Sequence, residues 1–150
     1  IELVKKSGYP GMKILQFAFD SREESDYLPH NYTHNCVVYT GTHDNDTVMG
    51  WYDTLKGADK KLCDDYLRLK NADGEPIPRE QLPWEFVRAA MSSVADLAII
   101  PMQDYLGLGS EARINIPSTL GINWKWRMGN GDFTKELAGR IRSMTKLYGR

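Results

Sequence analysis

Three apolar, β-forming runs place the strongest constraint on the fold: residues 12–19, 36–40 and 97–104, each handing over to polar groups at its carboxyl end. Helical patterns lie between the second and third runs and again after the third, so the order is repeated βα, which predicts a parallel sheet in an α/β fold. Residues 12–19 are mostly apolar, as a strand covered on both faces would be. The middle run passes through Val37, Val38 and Tyr39 and stops abruptly at Gly41, followed by His43 and Asp44. In α/β architectures ligands and catalytic groups collect where loops leave the carboxyl ends of the strands. Asp44, with His43 beside it, is therefore the first candidate for chemistry.

The length of 150 residues suits one domain with a real core. Its 19 basic and 20 acidic residues leave a formal charge of -1, which gives no bulk attraction to nucleic acid or to an anionic membrane. No stretch is long and apolar enough to span a bilayer and no leader pattern opens the sequence, so a soluble, intracellular chain is expected. Residues 1–8 read as the last turns of a helix stopped at Gly8, without an initiator methionine, and suggest a piece of something longer. Cys36 and Cys63 stand far apart without a metal-ligand pattern and are expected to be free, partly buried thiols.

Between the runs, the charged residues 20–26 lack the glycine and ligand rhythm of a calcium loop and are expected to be solvated. His30 and His34 are four apart, but Pro29 argues against the helix that would turn both toward one metal. Residues 60–70 predict a helix with Leu62, Tyr66 and Leu69 on one stripe, and residues 71–78 a loop at the tip of an excursion. A second helix opens at Pro83, carries Phe86, Val87, Ala90, Met91 and Val94 on its apolar face, and closes at Asp96. Residues 106–115 resemble a phosphate loop only in their glycines. Residues 133–148 predict an amphipathic helix with Leu137, Ile141 and Met144 inward, while Trp124 and Trp126 are expected to pack a rim.

A histidine next to an aspartate admits more than one chemistry. In a metal-dependent hydrolase both would be ligands, with His30 and His34 completing the set. In a sugar-processing enzyme the carboxylate would stabilise positive charge as an oxocarbenium-like state develops. Gln103, Asp104 and Asn115 read equally as braces for loops or as sugar contacts.

Longer stretches narrow this choice. Residues 11–19 (GMKILQFAF), 39–47 (YTGTHDNDT), 101–113 (PMQDYLGLGSEAR) and 123–127 (NWKWR) resemble, in order and across nearly the whole chain, the 4-α-glucanotransferases, also called amylomaltases or disproportionating enzymes. The resemblance implies the carboxyl-terminal portion, about strands six to eight with their helices, of a (β/α)8 barrel of the α-amylase superfamily. Residues 1–150 would form one partial catalytic barrel with a helical excursion around residues 52–82.

In that family a nucleophile after strand four, an acid/base after strand five and a transition-state stabiliser after strand seven act together. Only the third has a counterpart here, and it is Asp44. His43 would contact donor-side sugar hydroxyls, Phe17 would shape the acceptor side, and Asn115 would be a further sugar contact. The implied reaction is a retaining transfer of α-1,4-glucan segments between maltooligosaccharides, without cofactor or metal, in a cytoplasmic setting. Retention needs nucleophile and acid/base about 5 Å apart, and both would lie upstream of residue 1, so the isolated chain is expected to be inactive. Uncovered strand edges would favour self-association unless the missing part of the barrel is supplied. A non-catalytic glucan-binding piece is the alternative.

Overall fold

The computed structural model describes residues 2–150. Its centre is a parallel sheet of β1 (Gly11–Ile14), β2 (Cys36–Tyr39) and β3 (Leu97–Ile99), in that order, so the expected parallel α/β arrangement is present. Six α-helices accompany it among the described residues: α1 (Glu2–Ser7), α2 (Val48–Thr54), α3 (Gly57–Leu67), α4 (Leu82–Met91), α5 (Met102–Leu106) and α6 (Lys135–Leu147). None is long and apolar enough to cross a membrane. The reading of a helix end over residues 1–8 matches α1 and the left-handed Gly8, φ 71°, while Ile1 lies outside the described residues.

The strands are shorter than the apolar runs that contain them. β1 ends at Ile14 because Leu15–Phe17 folds into a 3₁₀ turn, with the Ala18 amide donating to the Leu15 carbonyl at 3.0 Å. β3 ends at Ile99, and residues expected to extend it form α5 instead. Pro101 has no amide for a ladder and starts the helix, while Gly107, at φ 66°, supplies the left-handed stop. α4 likewise stops at Met91 rather than Asp96, leaving Val94 outside it and exposed.

Helix α3 buries Cys63, Asp64 and Leu67, so the inward stripe is wider than expected and is centred beside Leu62 and Tyr66, which pack partly buried on the same core. Tyr52 accounts for the change: its hydroxyl donates to Asp64 Oδ1 at 2.7 Å and draws that carboxylate inward. Leu69 is buried beyond the helix, just before Lys70 bridges Pro76. Helix α6 begins two residues later than the pattern suggests. Thr134 caps it, its Oγ1 accepting from the Leu137 amide at 3.1 Å.

Phe86 sits at the middle of the largest apolar cluster, edge-on to Phe19, Trp51 and Tyr52. A second group packs Cys36 and Val38 of β2 on Tyr32, Ala90 and Ala95, which covers one face of the sheet. Cys36 and Cys63 are free and buried, and burial pushes both thiols above their ordinary range. α6 closes a third cluster, setting Met144 against Trp84, Val87 and Met91, with the Arg140 guanidinium 3.7 Å over the Trp84 ring.

The opposite face of the sheet is open. Met12, Val37 and Leu97 stand in one row and Ile14, Tyr39 and Ile99 in the next, and Met12 and Leu97 are more than half exposed. The expectation of strands covered on both faces therefore holds only in part: on that side Ile14 is buried, while Met12, Leu97 and Ile99 stay exposed.

Candidate active site

The segment between β2 and α2, residues 40–48, carries His43 and Asp44 and is shaped by its own polar side chains. Asn45 Oδ1 accepts from both the amide and the hydroxyl of Thr42, at 2.9 and 2.7 Å, which folds the loop back on itself. Thr47 then caps α2 by accepting from the Gly50 amide at 3.1 Å. Gln16, in the 3₁₀ turn that follows β1, donates its amide to the Asp46 carbonyl at 2.8 Å and ties the loop to that turn.

From the other side comes the segment after α5. Ser110 donates to Asp46 Oδ2 at 2.6 Å. This contact depends on Gly50, where an added Cβ would lie 2.2 Å from Ser110 Oγ and 2.7 Å from Asp46 Oδ2. Gly50→Ala is expected to break the Asp46–Ser110 bond and cost about 1–3 kcal/mol, readable as a lowered urea midpoint. An unchanged midpoint would show that the hydroxyl simply rotates away.

Asp44 is held through one carboxylate oxygen and its backbone and is open to the cleft, its side chain about half exposed. Asn115 donates its amide to Asp44 Oδ1 at 2.6 Å, and His43 Nε2 stands 3.3 Å from the same oxygen. Arg113 donates to the Asp44 carbonyl at 2.7 Å and, through Nε, to the Asn115 carbonyl at 2.9 Å. One arginine thus orients both the aspartate and its partner. The Trp124 ring lies 5.1 Å from the His43 ring at 37°. Its backbone, at φ 63°, adopts a left-handed conformation that a bulky residue takes only where surrounding structure imposes it.

These groups border a cleft of about 770 Å³ that continues over the open sheet face, lined by Met12, Ile14, Tyr39, Ile99 and Phe17. Phe17 is half exposed there, its ring edge-on to Tyr27 at 5.7 Å. Of the four residues singled out from the sequence, Asp44, His43 and Asn115 are in mutual contact and Phe17 stands across the cleft. His30 and His34 do not join them: His30 Nδ1 pairs with the Tyr66 hydroxyl at 3.0 Å, and His34 faces Asp96 at 4.0 Å. Among the described residues no three histidine, cysteine or carboxylate side chains are arranged to hold a metal ion. Sequence reasoning missed Arg113 and the contact of Trp124 with His43. The compact aromatic and basic cluster at residues 123–127 was the available signal for the tryptophan.

Comparison with known proteins bears directly on this arrangement. Along its whole length the chain is 49% identical to the 4-alpha-glucanotransferase of Clostridium butyricum, of which it spans 30%, and 46% identical to the chloroplastic/amyloplastic 4-alpha-glucanotransferase of Arabidopsis thaliana, of which it spans 25%. The fold superposes with a TM-score of 0.89 on an amylomaltase from Streptococcus agalactiae solved in complex with acarbose, at 35% identity, covering 99% of this chain and 29% of that one. The chain therefore spans under a third of the length of the relatives it matches. The glycoside hydrolase family 77 model, described as 4-alpha-glucanotransferase, matches residues 1–132, and the chain belongs to that family.

Proposed function

We propose that this chain is the carboxyl-terminal part of the catalytic barrel of a retaining 4-α-glucanotransferase acting on maltooligosaccharides. In this reading β1, β2 and β3 are strands six, seven and eight of a (β/α)8 barrel, residues 52–82 are a helical excursion of the same unit, and the open sheet face looks into the barrel. The observation that carries the reading is the setting of Asp44: a half-exposed carboxylate at the end of β2, aligned by Asn115, His43 and Arg113 toward an elongated cleft.

The chemistry follows from that alignment. As the glycosidic bond breaks, positive charge develops at the anomeric carbon, and a carboxylate already fixed beside it stabilises that charge without reorganising. Asp44 supplies that carboxylate. Asn115 holds it through one oxygen, and the Asn115 amide oxygen is left to accept a sugar hydroxyl. His43 hydrogen-bonds hydroxyls of the donor-side ring, with Trp124 restraining the imidazole plane. Phe17 forms the acceptor-side wall. The nucleophile and the acid/base belong to strands four and five, outside these 150 residues, and the chemistry needs no metal or cofactor. A bacterial, cytoplasmic setting accompanies the reading, plastids being the compartment named for the Arabidopsis relative.

The test is glucose release from maltotriose, measured on two proteins. The 150-residue chain alone is expected to bind maltooligosaccharides weakly, to release no glucose and to self-associate through its open face. A chimera in which it replaces the matching segment of the Clostridium butyricum enzyme is expected to release glucose at a rate near that of the parent. A folded chimera without turnover would remove the reading. Turnover by the chain alone would mean that a working carboxylate pair lies inside it, with Asp104 and Glu111 the first to mutate.

A further inference from the structure

Asp104 is a carboxylate that no step of the transfer uses, and it is among the most deeply buried side chains described, 1% exposed. It lies in the first turn of α5, yet both of its oxygens serve a distant segment. Oδ2 accepts from Thr40 Oγ1 at 2.5 Å and Oδ1 accepts from the Val48 amide at 2.8 Å. Thr40 and Val48 are the two ends of the loop that carries His43 and Asp44, and both are fully buried. One side chain from the β3 side of the sheet thus joins the start and the finish of that loop.

We propose that Asp104 is a positioning residue for transfer: it closes the ring between Thr40 and Val48 and so fixes where the Asp44 carboxylate stands over the cleft. The proposal rests on the role given to Asp44 above. Its physical basis is the length of the span. A loop of this size, whose other ties from Gln16, Ser110, Arg113 and Asn115 all fall on Asp44 and Asp46, keeps the freedom to pivot at its ends, and a displacement of about 1 Å at a reacting group can cost about 10²-fold in rate. A carboxylate bonded to a hydroxyl and an amide in a dry setting is a strong tether, because charge-assisted hydrogen bonds gain most where water is excluded.

The same burial gives the tether a pH signature. Burial raises the Asp104 carboxyl to about 6, against the bonds from Thr40 and Val48 that lower it, and with the like charge of Asp46 adding to the rise. Asp46 and Arg113 are the charged groups that share a small void with it. Because the folded-state value lies above the ordinary carboxylate value, the folded chain binds this proton more tightly than the unfolded one. Its contribution to stability therefore improves as pH falls through 6 toward 4, while protonation strips the tether of its charge. Stability and turnover respond to this one group in opposite directions.

The experiment compares Asp104→Ala and Asp104→Asn with the wild-type chimera, by maltotriose kinetics from pH 5 to 8 and by amide hydrogen exchange at Val48. Asp104→Ala removes both bonds and is expected to lower kcat about 10²-fold with KM within about threefold, and to expose the Val48 amide to exchange. Asp104→Asn keeps an acceptor for Val48, and its amino group reaches the Thr40 hydroxyl, so it is expected to recover most of the lost rate. Its ratio to wild type should rise as pH falls below 6, since only the wild type changes charge there. If Asp104→Ala does not fold, kcat and Val48 exchange in Asp104→Asn decide together. In either variant, wild-type kcat with an exposed Val48 amide would overturn the proposal. An inactive wild-type chimera instead overturns the glucanotransferase reading, and Val48 exchange still reports whether the tether exists.

Discussion

Asp44→Asn in the chimera lowers kcat for maltotriose disproportionation by on the order of 10³-fold or more, while the folded structure and its melting temperature stay close to wild type. Two observations set this expectation. The side chain is half exposed to the cleft, so the substitution opens no cavity and strands no buried charge. Its amide is also close in shape to the carboxylate, and Asn115, which now donates to Oδ1, can still donate to the amide oxygen. In the role proposed for Asp44, what is lost is the negative charge beside a developing cation, which an amide dipole replaces poorly. Circular dichroism and thermal melting on the same preparation separate that loss from misfolding. A residual activity within tenfold of wild type would mean that another group carries the charge, and the role of Asp44 would have to be given up.

A second large effect is expected in the core, with no catalytic group involved. Phe86 is completely buried and meets Phe19, Trp51 and Tyr52 with ring centroids 6.2, 5.8 and 6.3 Å away, all three edge-on. Truncating it leaves a cavity whose walls belong to the β1 end, α2 and α4, three elements that cannot collapse together. Phe86→Ala is expected to cost about 3–5 kcal/mol, measured as a shift of the urea unfolding midpoint at constant slope. For a domain stabilised by about 5–15 kcal/mol this is a large share of the total. Phe17→Ala provides the contrast: its half-exposed ring should cost under about 1 kcal/mol, whatever it does to transfer. Equal losses for the two phenylalanines would show that Phe86 is not the centre of the core.

The contrast between those phenylalanines also marks what the sequence could convey. Both sit in largely apolar runs, each directly after one polar residue, and Phe17 falls in a run expected to be a strand covered on both faces. It points into the cleft because the chain leaves β1 through a 3₁₀ turn, and nothing in the local pattern distinguishes that turn from one more strand residue. β2 was legible almost to the residue, since β-branched side chains followed by glycine leave few alternatives. β3 was legible in place but not in length, because the apolar run continues through a proline that starts a helix. At the site, His43 and Asp44 stood out as a pair. How they are held was less legible: Asn115 and Asp104 read only as braces or sugar contacts and Arg113 was not singled out, because Arg113 and Asn115 lie 69 and 71 residues away from Asp44 in sequence and Asp104 reaches Thr40 across 64. Such pairings are set by how the strands are laid side by side, and spacing along the chain carries no record of them.

The open sheet face has a thermodynamic corollary. Met12, Ile14, Tyr39 and Ile99 belong both to that face and to the wall of the cleft, so whatever polypeptide covers the face also becomes the far wall of the cleft. Any sugar that touches both walls is then linked to the joining of the two parts: it holds the covering polypeptide in place by as much as that polypeptide strengthens its own binding. For such a cleft, a bound ligand is a cohesive.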